Sequence, residues 1–143
     1  MSLAPETSPG FLLWKATLRW QRAIAAALAP WDLTHVQFVL LASDWWMATH
    51  GGAPNQLSLA RQAGVDVKMA SQVIRTLERK GLVRRSVDAA DTRARRIEPT
   101  ALGAEVAQAS IEAVEAADRR FFARVEPPDA DRIVPMLESL TGP

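Results

Sequence analysis

The chain has no cysteine, no tyrosine and only two histidines. Without cysteine there are no disulfides, thiolate nucleophiles, thiolate metal sites or cysteine-based redox sensing. His35 and His50 form no HxxxH pair, and no set of nucleophile, base and orienting group is visible. Neither an enzyme nor a cofactor is therefore expected. Long apolar runs are missing too: Ala23 to Trp31 and Val36 to Ala48 fall short of a membrane span, and Gln37 and Asp44 interrupt the second. The first ten residues are rich in Pro and Ser and lack the basic start of a secretory signal. The expectation is a soluble cytoplasmic protein with no membrane partner.

What is present suits one domain: 143 residues, 48% of them hydrophobic, enough for a core. The net charge of +1 hides an uneven distribution. From Arg61 to Arg96 lie ten basic residues (Arg61, Lys68, Arg75, Arg79, Lys80, Arg84, Arg85, Arg93, Arg95, Arg96) and four acidic ones (Asp66, Glu78, Asp88, Asp91), a local +6. The remainder holds seven basic and twelve acidic residues, or −5. One basic segment in a near-neutral chain points to a localised contact with a polyanion.

Helix signals organise the rest. In Leu33-Thr34-His35-Val36-Gln37-Phe38, Thr34 and Gln37 can form a capping box while Leu33 packs on Phe38 as a staple. That helix should end at His50-Gly51-Gly52-Ala53-Pro54. Upstream, Phe11 to Ala29 reads as a long amphipathic helix with Trp14, Leu18, Ala25 and Leu28 on one stripe and Lys15, Arg19 and Arg22 beside it. Downstream, Thr100 to Val125 has Ala107, Ile111, Val114, Phe121 and Val125 on its apolar stripe, blemished by Asp118. A short helix from Asp129 to Leu140 follows, with Pro135 inside it.

The basic segment reads as a helix-turn-helix. Asn55 or Ser58 starts a short helix, Gly64 permits a tight turn, and Asp66 caps a second helix from Val67 to Lys80. At about 100° per residue, Ala70, Val73, Ile74 and Leu77 share one face, while Lys68, Gln72, Arg75 and Arg79 share the opposite one, flanked by Ser71 and Thr76. One face suits a core; the other carries groups that reach base edges and phosphates. After Gly81, Leu82 to Ser86 and Arg95 to Glu98 can pair as a hairpin, a wing, around a tip with Asp88, Asp91 and Arg93. Lys68, Ser71, Gln72 and Arg75, near the start of the second helix, are the expected base readers. Arg79, Arg84 and Arg85 are expected on phosphates, and Arg93 in a narrow minor groove.

This series resembles the MarR family of transcriptional regulators. The residues that carry it are Leu33-Thr34-x-x-Gln37-Phe38, Leu59-Ala60 with Gly64-Val65, Leu77-Glu78-Arg79-Lys80-Gly81-Leu82-Val83, Asp91-x-Arg93 and Thr100-x-x-Gly103. Two positions depart from the pattern: Gln72 stands where the family often has Arg, and Pro99 where Leu usually precedes the Thr. The resemblance implies a mainly α fold with a small β-hairpin wing. Its N-terminal dimerisation helix would span 1–32, the winged helix-turn-helix 33–99 and the C-terminal dimerisation helices 100–143, in one compact domain. It also implies a homodimer on pseudo-palindromic double-stranded DNA, usually a repressor, often released by a small aromatic ligand. For such a ligand the positions implied are His35, just after the helix cap, and Trp45, on one of the Trp-bearing helices. Lys15 and Arg19 are able to meet a carboxylate or phenolate. The alternative expectation is a winged helix used only for protein contacts.

Overall fold

Capping residues set most helix boundaries in the computed structural model, which describes residues 4–87 and 95–143. Helix α1 runs Pro9–Leu28: Ser8 accepts from the Phe11 amide, and Pro9 sits first, where its missing N–H leaves no bond unmade. A 3-10 turn, Ala29–Trp31, leads through Asp32 to α2, His35–Thr49. Its capping box is complete: the Gln37 amide donates to Thr34 Oγ1 at 3.3 Å, and the Thr34 amide to Gln37 Oε1 at 3.2 Å. Leu33 and Phe38, the expected staple, are both in the core. Helix α2 is the central element, and the other elements of the core assemble around it.

A second capping box, between Asn55 and Ser58, opens α3, Gln56–Ala63. Gly64 ends it at φ +71°, a conformation that favours glycine, and Asp66 then caps α4, Val67–Arg79, by accepting from the Met69 amide at 2.7 Å. Gly81, at φ +76°, turns the chain into strand β1, Val83–Val87, which pairs antiparallel with β2, Arg95–Pro99, from Val83↔Pro99 to Val87↔Arg95. The hairpin tip, with Asp88, Asp91 and Arg93, lies outside the described residues.

Pro99 closes the ladder, and because it has no N–H to donate, Thr100 secures the exit from the wing. The Thr100 amide donates to the Leu82 carbonyl at 3.0 Å and its hydroxyl to the Gly81 carbonyl at 2.6 Å. The same hydroxyl accepts from the Gly103 amide and so caps α5, Ala101–Phe122. Here the chain comes very close to itself: a Cβ on Gly103 would lie 1.8 Å from the Leu82 carbonyl oxygen. A 3-10 turn, Asp129–Arg132, precedes α6, Ile133–Thr141. Pro135 falls in the first turn of α6, where its N–H would have had no intrahelical partner.

Two helix faces differ from expectation. On α1 the core takes Ile24 and Leu28, with Trp20, Ala27 and Trp31 packed against it; Trp14 is 61% exposed and Ala25 is exposed as well. Of the expected stripe only Leu28 is buried. The reason is that α1 has apolar residues around most of its circumference, so periodicity does not choose between its faces. On α5 the buried line is Gly103, Ala107, Ser110, Val114 and Ala117, and Val125 is exposed. Asp118 is no blemish: it accepts from Trp20 Nε1 at 2.7 Å and ties α5 to α1.

Candidate nucleic-acid interface

Helix α4 divides as its sequence requires. Ala70, Ile74 and Leu77 are buried against the core, Val73 is half-buried, and Lys68, Gln72, Arg75 and Arg79 are exposed on the other side, with Ser71 half-buried between. Lys68 and Arg75 make no ion pair among the described residues. Arg79 Nη2 instead donates to Thr76 Oγ1 at 3.0 Å, which braces its guanidinium along the helix. Asp66 caps the first turn, α3 packs against α4, and the amino-terminal half of α4 carries an exposed polar edge.

The wing's arginines are more tied down than the sequence suggested. Arg84 Nε and Nη2 both donate to Glu98 Oε2 at 3.3 Å across the hairpin, although the Arg84 side chain stays 68% exposed. Arg85 lies 3.6 Å from Glu78 of α4, with only 24% of its side chain exposed, and Arg96 lies 3.7 Å from the other Glu98 oxygen. Glu98 is therefore a hub for wing cations that the charge count alone did not reveal. Lys80, at the end of α4, reaches back to α2: its ammonium donates to Gln37 Oε1 at 3.0 Å and to the Asp32 carbonyl. This bond ties the capping box of α2 to the carboxy-terminal end of α4, a link invisible in sequence because the partners are 43 residues apart.

The four residues expected near a small ligand are spread over three places. Lys15 and Arg19 line a groove of about 480 Å³ with Leu18 and Arg22. Arg19 also borders a second groove, about 420 Å³, with Arg120 and Arg124 of the α5 end. His35 meets the Trp20 ring edge-on at 4.9 Å, and Trp20 in turn donates to Asp118. Burial lowers the pKa of the imidazole below its ordinary value, and the Asp118 carboxylate opposes that shift. Trp45 walls a separate cleft of about 520 Å³ with Glu105, Gln108 and Glu112. One buried carboxyl escaped sequence reasoning, which treated it only as an interruption. Asp44 is fully buried, and burial, with the Glu98 carboxylate adding to it, pushes its carboxyl up to about 8.

No single helix among the described residues is long and apolar enough to cross a membrane. The fold and the exposed edge of α4 define a winged helix-turn-helix DNA-binding protein. The sequence profile of the MarR family matches residues 33–94. The HTH-type transcriptional regulator YdcH of Bacillus subtilis is 48% identical over 119 residues, covering 83% of this chain and 81% of that one. The HTH-type transcriptional repressor Rv2887 of Mycobacterium tuberculosis is 32% identical over 140 residues, 98% of each chain. The crystal structure of Rv2887 with salicylic acid superposes with a TM-score of 0.70 at 32% identity, covering 96% of this chain and 99% of that one. At 22% identity, Bordetella bronchiseptica BpsR shares the fold with a TM-score of 0.86, over 100% of this chain and 99% of that one. The chain belongs to the MarR family of transcriptional regulators.

Proposed function

We propose that two copies of this chain form a repressor that sets an α4 helix in each of two successive major grooves and is released by a small aromatic acid. The observation that carries this is the split of α4 between a buried apolar face and an exposed face bearing Lys68, Gln72 and Arg75, held at the angle its Asp66 cap and the α3 packing fix. Lys68, Ser71, Gln72 and Arg75 read bases; Arg79 and Arg84 hold phosphates; Arg93 enters the minor groove. Arg85, drawn to Glu78, contributes to the field more than to a direct contact.

Residues 1–32 and 100–143 form the dimerisation unit in this reading, and 33–99 the DNA-binding unit. Phe11, Leu12, Leu13 and Trp14 on α1, and Val134, Met136, Leu137 and Leu140 on α6, are all at least 41% exposed. Apolar surface of that extent calls for a partner subunit, and a two-fold pair brings the same faces together. The effector enters between the dimerisation helices and the DNA-binding unit. His35, in the first turn of α2 against Trp20, is the residue we place beside the ring; Lys15 and Arg19 line a neighbouring groove able to take an acid group, and Trp45 walls a separate cleft outside this site. Salicylic acid bound to Rv2887 supports this ligand class. Such a ligand acts by favouring a dimer whose α4 helices no longer match the groove spacing.

The test is fluorescence anisotropy of an operator selected from random DNA, at one stated salt concentration, titrated with salicylate and related acids. Two chains should bind each operator, and the acid should release them saturably. His35→Ala should weaken the response to acid. If no aromatic acid in a broad panel alters operator affinity, the effector assignment fails.

A further inference from the structure

Asp44 is a complete carboxyl inside the protein with neither oxygen hydrogen-bonded. A polar group buried in this way is costly, and an ionised one far more so. It sits on α2, which packs against β2 of the wing as well as against α1, α3, α4 and α5, and β2 supplies a charge that acts on it, Glu98. The other elements packed on α2 offer it no ionisable group from their buried faces. Those faces are Ile24 and Leu28 of α1, Leu59 and Ala60 of α3, Ala70, Ile74 and Leu77 of α4, and Gly103, Ala107 and Ser110 of α5.

Glu98 is itself committed. It holds Arg84 at 3.3 Å and Arg96 at 3.7 Å, and the Arg96 Nε is buried with no hydrogen-bond partner. Glu98 thus holds its charge, shared between two arginines, on the wing strand that packs on α2. With Asp44 neutral, Glu98 keeps both arginines. An ionised Asp44 repels Glu98, and with no partner in place for the new charge the packing around it must open to water; β2, which carries Glu98, is the element the repulsion pushes away.

We propose that Asp44 is a proton-controlled support of the wing: neutral, it lets β2 lie on α2, and ionised, it releases the hairpin from the pose in which it meets DNA. The effect on DNA rests on the proposed winged-helix binding mode; the movement of the wing does not. Dependence on protonation follows from geometry, since no cation or amide is placed to receive the negative charge.

The movement is tested on the wild-type protein by NMR from pH 6 to 9.5, following the Asp44 side-chain carboxyl carbon and the amides of Arg96, Ile97 and Glu98. All should shift together with one midpoint near 8, the value to which the carboxyl is pushed. The amide steps should vanish in Asp44→Asn, and in Asp44→Ser if the Asn variant does not fold. Operator affinity measured over the same range should fall about tenfold through that midpoint for the wild type relative to the variant. A carboxyl that titrates near 4, or wing amides without a step, overturns the proposal. NMR steps without DNA binding at any pH would leave the switch standing and refute the winged-helix binding mode instead. NMR steps with an affinity ratio that stays flat would refute the claim that the wing's pose controls binding.

Discussion

Replacing Gly103 by alanine should destabilise the protein by about 3 kcal/mol, at the upper end of what overpacking usually costs. The added Cβ would sit 1.8 Å from the Leu82 carbonyl oxygen, 2.8 Å from its carbon and 3.2 Å from its Cα. These are backbone atoms, so no side chain can rotate away. Relief requires α5 to move from the start of the wing, and that movement would break the Thr100 bonds to Gly81 and Leu82. Gly10→Ala is the control, because a Cβ there meets nothing within 4 Å. Urea unfolding should show a large drop in midpoint for the first variant and none for the second. Equal midpoints would mean that the close approach of α5 to Leu82 is not real.

Asp44 yields the second large effect, on stability as a function of pH. Its carboxyl moves from an ordinary value of 3.8 to about 8 in the folded protein. Between those values the unfolded chain has lost the proton while the native state keeps it, so rising pH favours unfolding. The stabilising contribution is therefore full below about pH 4, is lost as pH rises, and changes no further above about pH 8. Asp44→Asn ionises in neither state, so the difference between the two proteins isolates this residue from the other carboxylates. That difference should move toward the Asn variant by roughly 1.4 kcal/mol per pH unit between about pH 5 and 7, and level off above about 8. A difference independent of pH would show that Asp44 is hydrated or paired.

Local features of the fold were legible in sequence. The capping box of Thr34 and Gln37, the turn glycines Gly64 and Gly81, the Asp66 cap and the two faces of α4 need only neighbouring residues to be recognised, and each lies where the pattern puts it. What escaped depends on contacts distant in sequence. The side of α1 that meets α5 could not be chosen from a helix apolar nearly all round. Asp118 looked like a defect because its partner, Trp20, lies 98 residues away. Gly103 belongs to a recognisable motif, but its reason, the Leu82 carbonyl, exists only once the wing folds back. Asp44 looked like a polar break in an apolar run; only packing by elements outside the helix makes it a buried carboxyl.

The same division holds for the site. The set we propose as base readers follows from the helical wheel, and its four members lie along one edge of α4, with Lys68, Gln72 and Arg75 exposed. The Glu98 hub does not follow, because pairing across a hairpin depends on register, and the register sets Arg84 opposite Glu98.

The central claim is that the exposed face of α4 reads base sequence. It is tested most directly by the ratio of affinities for selected and random DNA, at one fixed salt concentration, for Gln72→Ala and Arg75→Ala beside Arg84→Ala. Each of the first two should lose about 1–3 kcal/mol on the selected operator and little on random DNA, so the ratio falls. Arg84→Ala should weaken both alike and lower the salt slope by about one. A ratio left unchanged by Gln72→Ala and Arg75→Ala would contradict the account and make that face a solvated surface.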